Sequence, residues 1–82
     1  MDLDQIVQEN FICYPNPSNQ IINLRGDKSY NVYIYAKDGR LVYQKEIQSG
    51  LNTIDIQSFS KGVYALHYQN STNKGMIRIV IN

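Results

Sequence analysis

His67 and Cys13 are each the sole residue of their type in an 82-residue chain, so base, thiol and metal chemistry must be judged on single side chains. A catalytic imidazole needs a nucleophile or carboxylate held against it. Strand alternation instead groups His67 with Val63 and Ala65, which reads as a partly buried or surface imidazole. Cys13 follows Phe11 and Ile12 and has no basic neighbour in sequence to lower its pKa, the pattern of an inert buried thiol. One cysteine also excludes an intrachain disulfide and a zinc knuckle. The acids Asp27, Asp38, Glu46 and Asp55 are scattered, with neither EF-hand spacing nor the pairing that acid–base catalysis uses. Gly26, Gly39, Gly50, Gly62 and Gly75 never cluster into a phosphate loop and read as turn glycines. No catalytic residue, metal or cofactor is expected.

Two short motifs remain. Arg25-Gly26-Asp27 is the integrin-recognition tripeptide, and it is equally what a polar turn between strands looks like. Asn70-Ser71-Thr72 is an N-glycosylation sequon, which in a polar loop is also simply loop sequence. The tyrosines offer binding rather than catalysis. Tyr33 and Tyr35 share the face opposite Val32 and Ile34, and Tyr43 belongs to the strand expected to pair with theirs. Such an aromatic strip could stack a sugar or seat a protein, or it could pack across strands.

The elements that must position these residues are strands. Tyr30–Tyr35 alternates Val32 and Ile34 with Asn31, Tyr33 and Tyr35, the period-two pattern of a half-buried strand. Ile54 and Ile56 alternate with Thr53 and Asp55, and Ile77, Ile79 and Ile81 share one face opposite Arg78. No window sustains the three-and-four apolar spacing of a helix. The strands are predicted at Phe11–Tyr14, Ile21–Leu24, Tyr30–Tyr35, Leu41–Ile47, Leu51–Ile56, Val63–Tyr68 and Met76–Ile81. Turn chemistry separates them: Pro15-Asn16-Pro17-Ser18, Arg25-Gly26-Asp27, Asp38-Gly39, Ser49-Gly50, Lys61-Gly62 and Asn73-Lys74-Gly75. Asp38-Gly39 between apolar strands marks a tight hairpin, because glycine reaches positive φ at little cost. About seven short strands without helices indicate a small immunoglobulin-like antiparallel β-sandwich, all-β in class. Pro15 and Pro17 are expected to stop the first strand and set its corner, since proline fixes φ and Pro17 keeps Asn16 out of the helical region.

Composition agrees with a small folded module. A chain this short buries roughly 60% of its unfolded surface and has little core to spare for a deep cavity. The formal charge of +1 argues against electrostatically driven binding to nucleic acid or anionic membrane. No apolar run approaches the roughly 20 residues of a membrane-spanning helix. Residues 1–10 are polar and acidic, without a signal-peptide pattern, and read as a linker or the remnant of an expression start. Residues 11–82 form the domain. If the module is exported, its address tag is expected on a longer parent chain or is something else.

Read in order, the motifs resemble one family. Tyr14-Pro15-Asn16-Pro17-Ser18 followed by Ile21-Ile22-Asn23-Leu24 is similar to the opening of the type A C-terminal sorting domain of the type IX secretion system. Val32 to Val42, with Asp38-Gly39-Arg40 at its centre, resembles that family's strand, Gly-Arg hairpin and following strand. Gly50-Leu51-Asn52 looks like its Gly-x-Asn segment, and Phe59-Ser60-Lys61-Gly62-Val63-Tyr64 like its Leu-x-x-Gly-x-Tyr region, with Phe for Leu. The family usually ends on a lysine-bearing strand after a Thr-Lys pair. Here Gly75-Met76-Ile77-Arg78 leads into Ile79-Val80-Ile81, and Arg78 keeps the charge with different donor geometry.

The resemblance implies a non-enzymatic address, with sorting motifs at Tyr14, Pro15, Asn16, Pro17, Asp38, Gly39, Arg40, Gly50, Asn52, Lys61, Gly62, Val63, Tyr64, Arg78, Ile79 and Val80. Such domains end secreted proteins of Bacteroidetes-type bacteria. They fold in the periplasm after export with their cargo, and the outer-membrane translocon recognises them. The implied partners are the translocon, its outer-membrane shuttle, a sortase-like protease that removes the domain, and the upstream cargo on the same chain. The implied location is secreted or cell-surface. Met76–Ile81, as an edge strand, would offer N–H and C=O groups to a receptor strand. The competing reading is a carbohydrate- or protein-binding adhesion sandwich that uses the tyrosine face.

Overall fold

The computed structural model describes residues 6–8, 11–14 and 20–82. Its strands are β1 (Ile6–Gln8), β2 (Phe11–Tyr14), β3 (Ile21–Gly26), β4 (Tyr30–Ala36), β5 (Leu41–Ile47), β6 (Gly50–Asp55), β7 (Gly62–Gln69) and β8 (Lys74–Ile81). They form two four-stranded sheets in the orders β1-β2-β3-β6 and β5-β4-β7-β8, and every pairing is antiparallel. The all-β sandwich follows from the alternation in the sequence. Tyr30, Val32 and Ile34 of β4 are buried while Asn31, Tyr33 and Tyr35 are not. Ile77, Ile79 and Ile81 of β8 and Ile22 and Leu24 of β3 turn the same way, into the space between the sheets.

The core carries a three-ring cluster at one end. Phe11 of β2 stacks on Tyr68 of β7 with ring centres 4.1 Å apart, and Tyr30 lies 5.4 Å from Phe11. All three rings are within 8° of parallel. Tyr30 keeps its hydroxyl at the rim, where it donates to Asp27 Oδ1 at 3.2 Å. A buried tyrosine can therefore contribute aromatic area without an unpaired polar atom.

Four features differ from the sequence expectation. Ile6–Gln8, inside the segment read as linker, pairs with β2 through Ile6↔Cys13 and Gln8↔Phe11. Three residues are too few to show alternation; a partner strand supplies their structure. Arg25-Gly26-Asp27 is only partly a turn. Arg25 pairs with Ile12 and Leu51, and Gly26 with Phe11 and Gly50, so only Asp27 leaves the sheet. Gly75 likewise belongs to a strand, opposite Tyr68. Finally, the Asp38-Gly39 hairpin is wider than a two-residue turn. Gly39 N donates to Ala36 O and Ala36 N to Arg40 O, which leaves a three-residue loop with Gly39 at φ 90°. That is a type I turn closed by a glycine bulge, the next commonest hairpin connection. Pro15, Asn16 and Pro17, and the corner assigned to the two prolines, lie outside the described residues.

Candidate recognition surface

Register places most of the sorting-motif residues at one end of the sandwich. β4 ends at Ala36, which pairs with Tyr64 of β7, so the Lys37–Arg40 turn stands beside the start of β7. There β7 also pairs with the end of β8, through Gly62↔Ile81, Val63↔Val80, Tyr64↔Ile79 and Ala65↔Arg78. Asp38, Gly39 and Arg40, Lys61 to Tyr64, and Arg78 to Val80 therefore form one neighbourhood from three separate sequence segments. Ala36, Lys37, Asp38, Arg40, Lys61, Gly62, Val63 and Tyr64 line an open cleft of about 480 Å³.

Local hydrogen bonds hold this end in place. Asp38 Oδ1 accepts from Arg40 N at 3.2 Å, which makes the carboxylate a turn brace. Tyr64 is buried, and its hydroxyl donates to Ser60 O at 2.6 Å, four residues upstream. A tyrosine at the start of a strand bonding back to its approaching loop is the tyrosine corner of immunoglobulin-like sandwiches. Phe59, the residue standing where the family has Leu, packs between Tyr64 (5.6 Å) and Tyr43 (6.3 Å) and closes the core beneath the corner. Tyr64→Phe keeps the ring and removes the bond, and we expect it to cost about 1 kcal/mol. A domain this size should then melt about 4–8 °C lower. An unchanged melting temperature by circular dichroism would show that the corner contributes nothing.

Gly50 and Asn52 are not part of that end. They sit at the opposite end, where β5 turns into β6. Asn52 Nδ2 donates to Gln48 O at 2.8 Å, and Gly50 takes φ 98°. The Gly-x-Asn pattern thus fixes a turn. Tyr14 ends β2 opposite Asn23 and is half-buried. The three terminal-strand residues divide by parity. Ile79 is fully buried, whereas Arg78 is exposed and Val80 half-buried on the outer face. β8 does lie at an edge of its sheet. Arg78 and Val80 each make interactions of their own, so the strand is not bare along its length.

The tyrosine strip is smaller than expected. Tyr33 and Tyr35 face outward, and Tyr35 meets His67 edge-on at 5.1 Å. Tyr43 is opposite Ile34, not Tyr33, and therefore turns toward the core, where it packs on Phe59. Parity in the ladder decided this: Gln44 took the position beside Tyr33. Exposed His67 belongs to this surface and Cys13 to the core, where burial pushes its thiol up to about 12. Among the described residues no three His, Cys, Asp or Glu side chains gather as a metal set.

The sequon asparagine is engaged by the fold. Asn70 Oδ1 accepts from Thr72 N, Thr72 Oγ1 and Asn73 N at 2.8–3.1 Å, and Nδ2 donates to Ser29 O at 3.1 Å. One side chain thereby shapes the β7–β8 turn and ties it to the β3–β4 connection. Asn70→Ala loses these bonds together and should cost about 1–2 kcal/mol. Asn70→Asp keeps the acceptor and should cost less. Equal losses in urea unfolding would mean that the turn does not depend on that oxygen.

The fold and its surface together define a class: an antiparallel sandwich whose distinctive residues shape turns and one charged end, as in a module that is recognised. The family model for the secretion system C-terminal sorting domain matches residues 12–82, nearly all of the chain. The chain belongs to that family and is a C-terminal sorting signal of type IX secretion, a family of sorting signals and not of enzymes. No curated protein matches it.

Proposed function

We propose that the folded sandwich is the form in which the signal is read: the outer-membrane translocon and its shuttle engage the domain after it has folded in the periplasm. A sortase-like protease then removes it and the cargo is joined to the cell surface. The family match across residues 12–82 carries this reading, because it covers the strands of both sheets from Ile12 onward and no isolated segment alone. A machine that read an unfolded tail would have no use for motif residues brought together from the β4–β5 turn, the start of β7 and the end of β8. The position of β8 at a sheet edge fits the same role, with outward-facing Met76 half exposed.

The direct experiment fuses the whole chain behind a periplasmic reporter in a type IX-competent bacterium. The reporter is expected at the surface with the domain removed. Retention in the periplasm of a reporter whose domain is folded would defeat the proposal.

A further inference from the structure

Charge is unevenly placed on this nearly neutral molecule. Lys37, Arg40 and Lys61 surround the cleft at the β4–β5 end, against the single carboxylate of Asp38. The surplus there is two positive charges on a chain whose formal total is +1, so the remainder of the molecule is net negative. All three cations are exposed, and none has a carboxylate partner among the described residues. Asp38 is already committed to Arg40 N within the turn. By contrast, a polar depression near Lys28 includes Glu46 on its rim.

The floor and the rim select among anions. Gly39 N donates to Ala36 O and Arg40 N to Asp38 Oδ1, so the turn has no nest of convergent N–H groups for a phosphate. The cations come from two elements and stand around Ala36, Val63 and Tyr64, which make an apolar floor. A cleft of about 480 Å³ lies in the range of about 300–1,000 Å³ that holds a ligand or a few side chains. Spread cations over an apolar floor fit carboxylates and apolar side chains that alternate along an extended chain.

We infer that this cleft is the seat of an acidic, extended peptide segment of a partner protein, its carboxylates meeting Lys37, Arg40 and Lys61 and an apolar side chain resting on Val63 and Tyr64. The inference rests on the sorting-signal reading, which makes a protein partner the relevant occupant. Pairs at such an exposed rim govern encounter and selectivity, and they weaken with salt.

The test is a titration of the isotopically labelled whole chain with an alternating glutamate–leucine hexapeptide, followed by backbone amide resonances. Shifts are expected at residues 36–40 and 61–64. The Arg40→Glu/Lys61→Glu double variant should bind about tenfold more weakly or worse, whereas Lys28→Glu should bind as the unchanged chain does. Raising salt from about 0.01 M to about 1 M shortens the screening length from about 30 Å to about 3 Å and should abolish the shifts. The inference is overturned if those residues do not move, if inorganic phosphate moves them equally, or if the double variant binds normally. The same variant behind the reporter separates the two claims. Normal surface delivery of the folded variant overturns the cleft inference and leaves the sorting signal standing; failure of the unmodified domain to deliver overturns the function itself.

Discussion

Phe11→Ala is expected to cost about 3–5 kcal/mol, the range for deleting a fully buried aromatic side chain. Phe11 has no exposed surface, and it is the ring through which β2 meets β7. Removing it separates the stacked pair at 4.1 Å and leaves Tyr30 and Tyr68 without the partner that lies close to both. Ring pairs of this kind contribute about 0.5–1.5 kcal/mol beyond area burial. A domain of this length has about 4–12 kcal/mol of total stability. The variant should therefore lose a large share of its stability, read as a marked fall of the urea midpoint and a weaker near-ultraviolet dichroism from the tyrosines. Phe11→Leu retains the apolar volume and should lose less. A loss under about 1 kcal/mol for Phe11→Ala would show that the cluster does not hold the sheets together.

Gly75→Ala is the second large effect, from the opposite cause. A Cβ built there would lie 2.5 Å from Tyr68 Cζ and 2.9 Å from Cε2. Tyr68 crosses its strand partner with the ring laid over the glycine. It cannot swing aside cheaply, because its other face is stacked on Phe11 and it is almost wholly buried. Overpacking of this sort costs about 1–3 kcal/mol and sometimes more. On thermal unfolding that is a fall of about 4–8 °C per kcal/mol. The mechanism predicts its own rescue. In a Tyr68→Ala background the added methyl meets no ring, so Gly75→Ala should cost little there, since glycine is itself a poor strand residue. Equal costs in both backgrounds would place the penalty in the backbone and remove the role given to Tyr68. The double-mutant cycle distinguishes them directly.

Gly75 also shows where a single sequence stops. Beside Asn73 and Lys74 it looks like turn punctuation, since glycine, asparagine and lysine are what turns contain. Only the cross-strand position of Tyr68, seven residues earlier, shows that its lack of a side chain makes room for a ring. Gly26 is similar: it continues β3 between Phe11 and Gly50. Tyr43 fails for a related reason. Alternation says which residues of one strand share a face, but the register between strands says which faces meet, and one step places a tyrosine with the core instead of the strip.

What the sequence determined by itself was local and periodic. Val32 and Ile34, Ile54 and Ile56, and Ile77 to Ile81 specified strands and their inward faces, because a period of two is written into the residues whatever they later pack against. Asp38-Gly39 and Ser49-Gly50 specified turns, since φ preference is a property of the residue. The ordered motifs from Tyr14 to Tyr64 were enough to indicate the family. What only tertiary structure decided was adjacency. Lys37, Arg40 and Lys61 gather at one rim, Tyr64 reaches back to Ser60, and Asn70 ties two connections together. Those relations arise from register and from the stacking of one sheet on the other, energies shared between distant segments that no window along the chain contains.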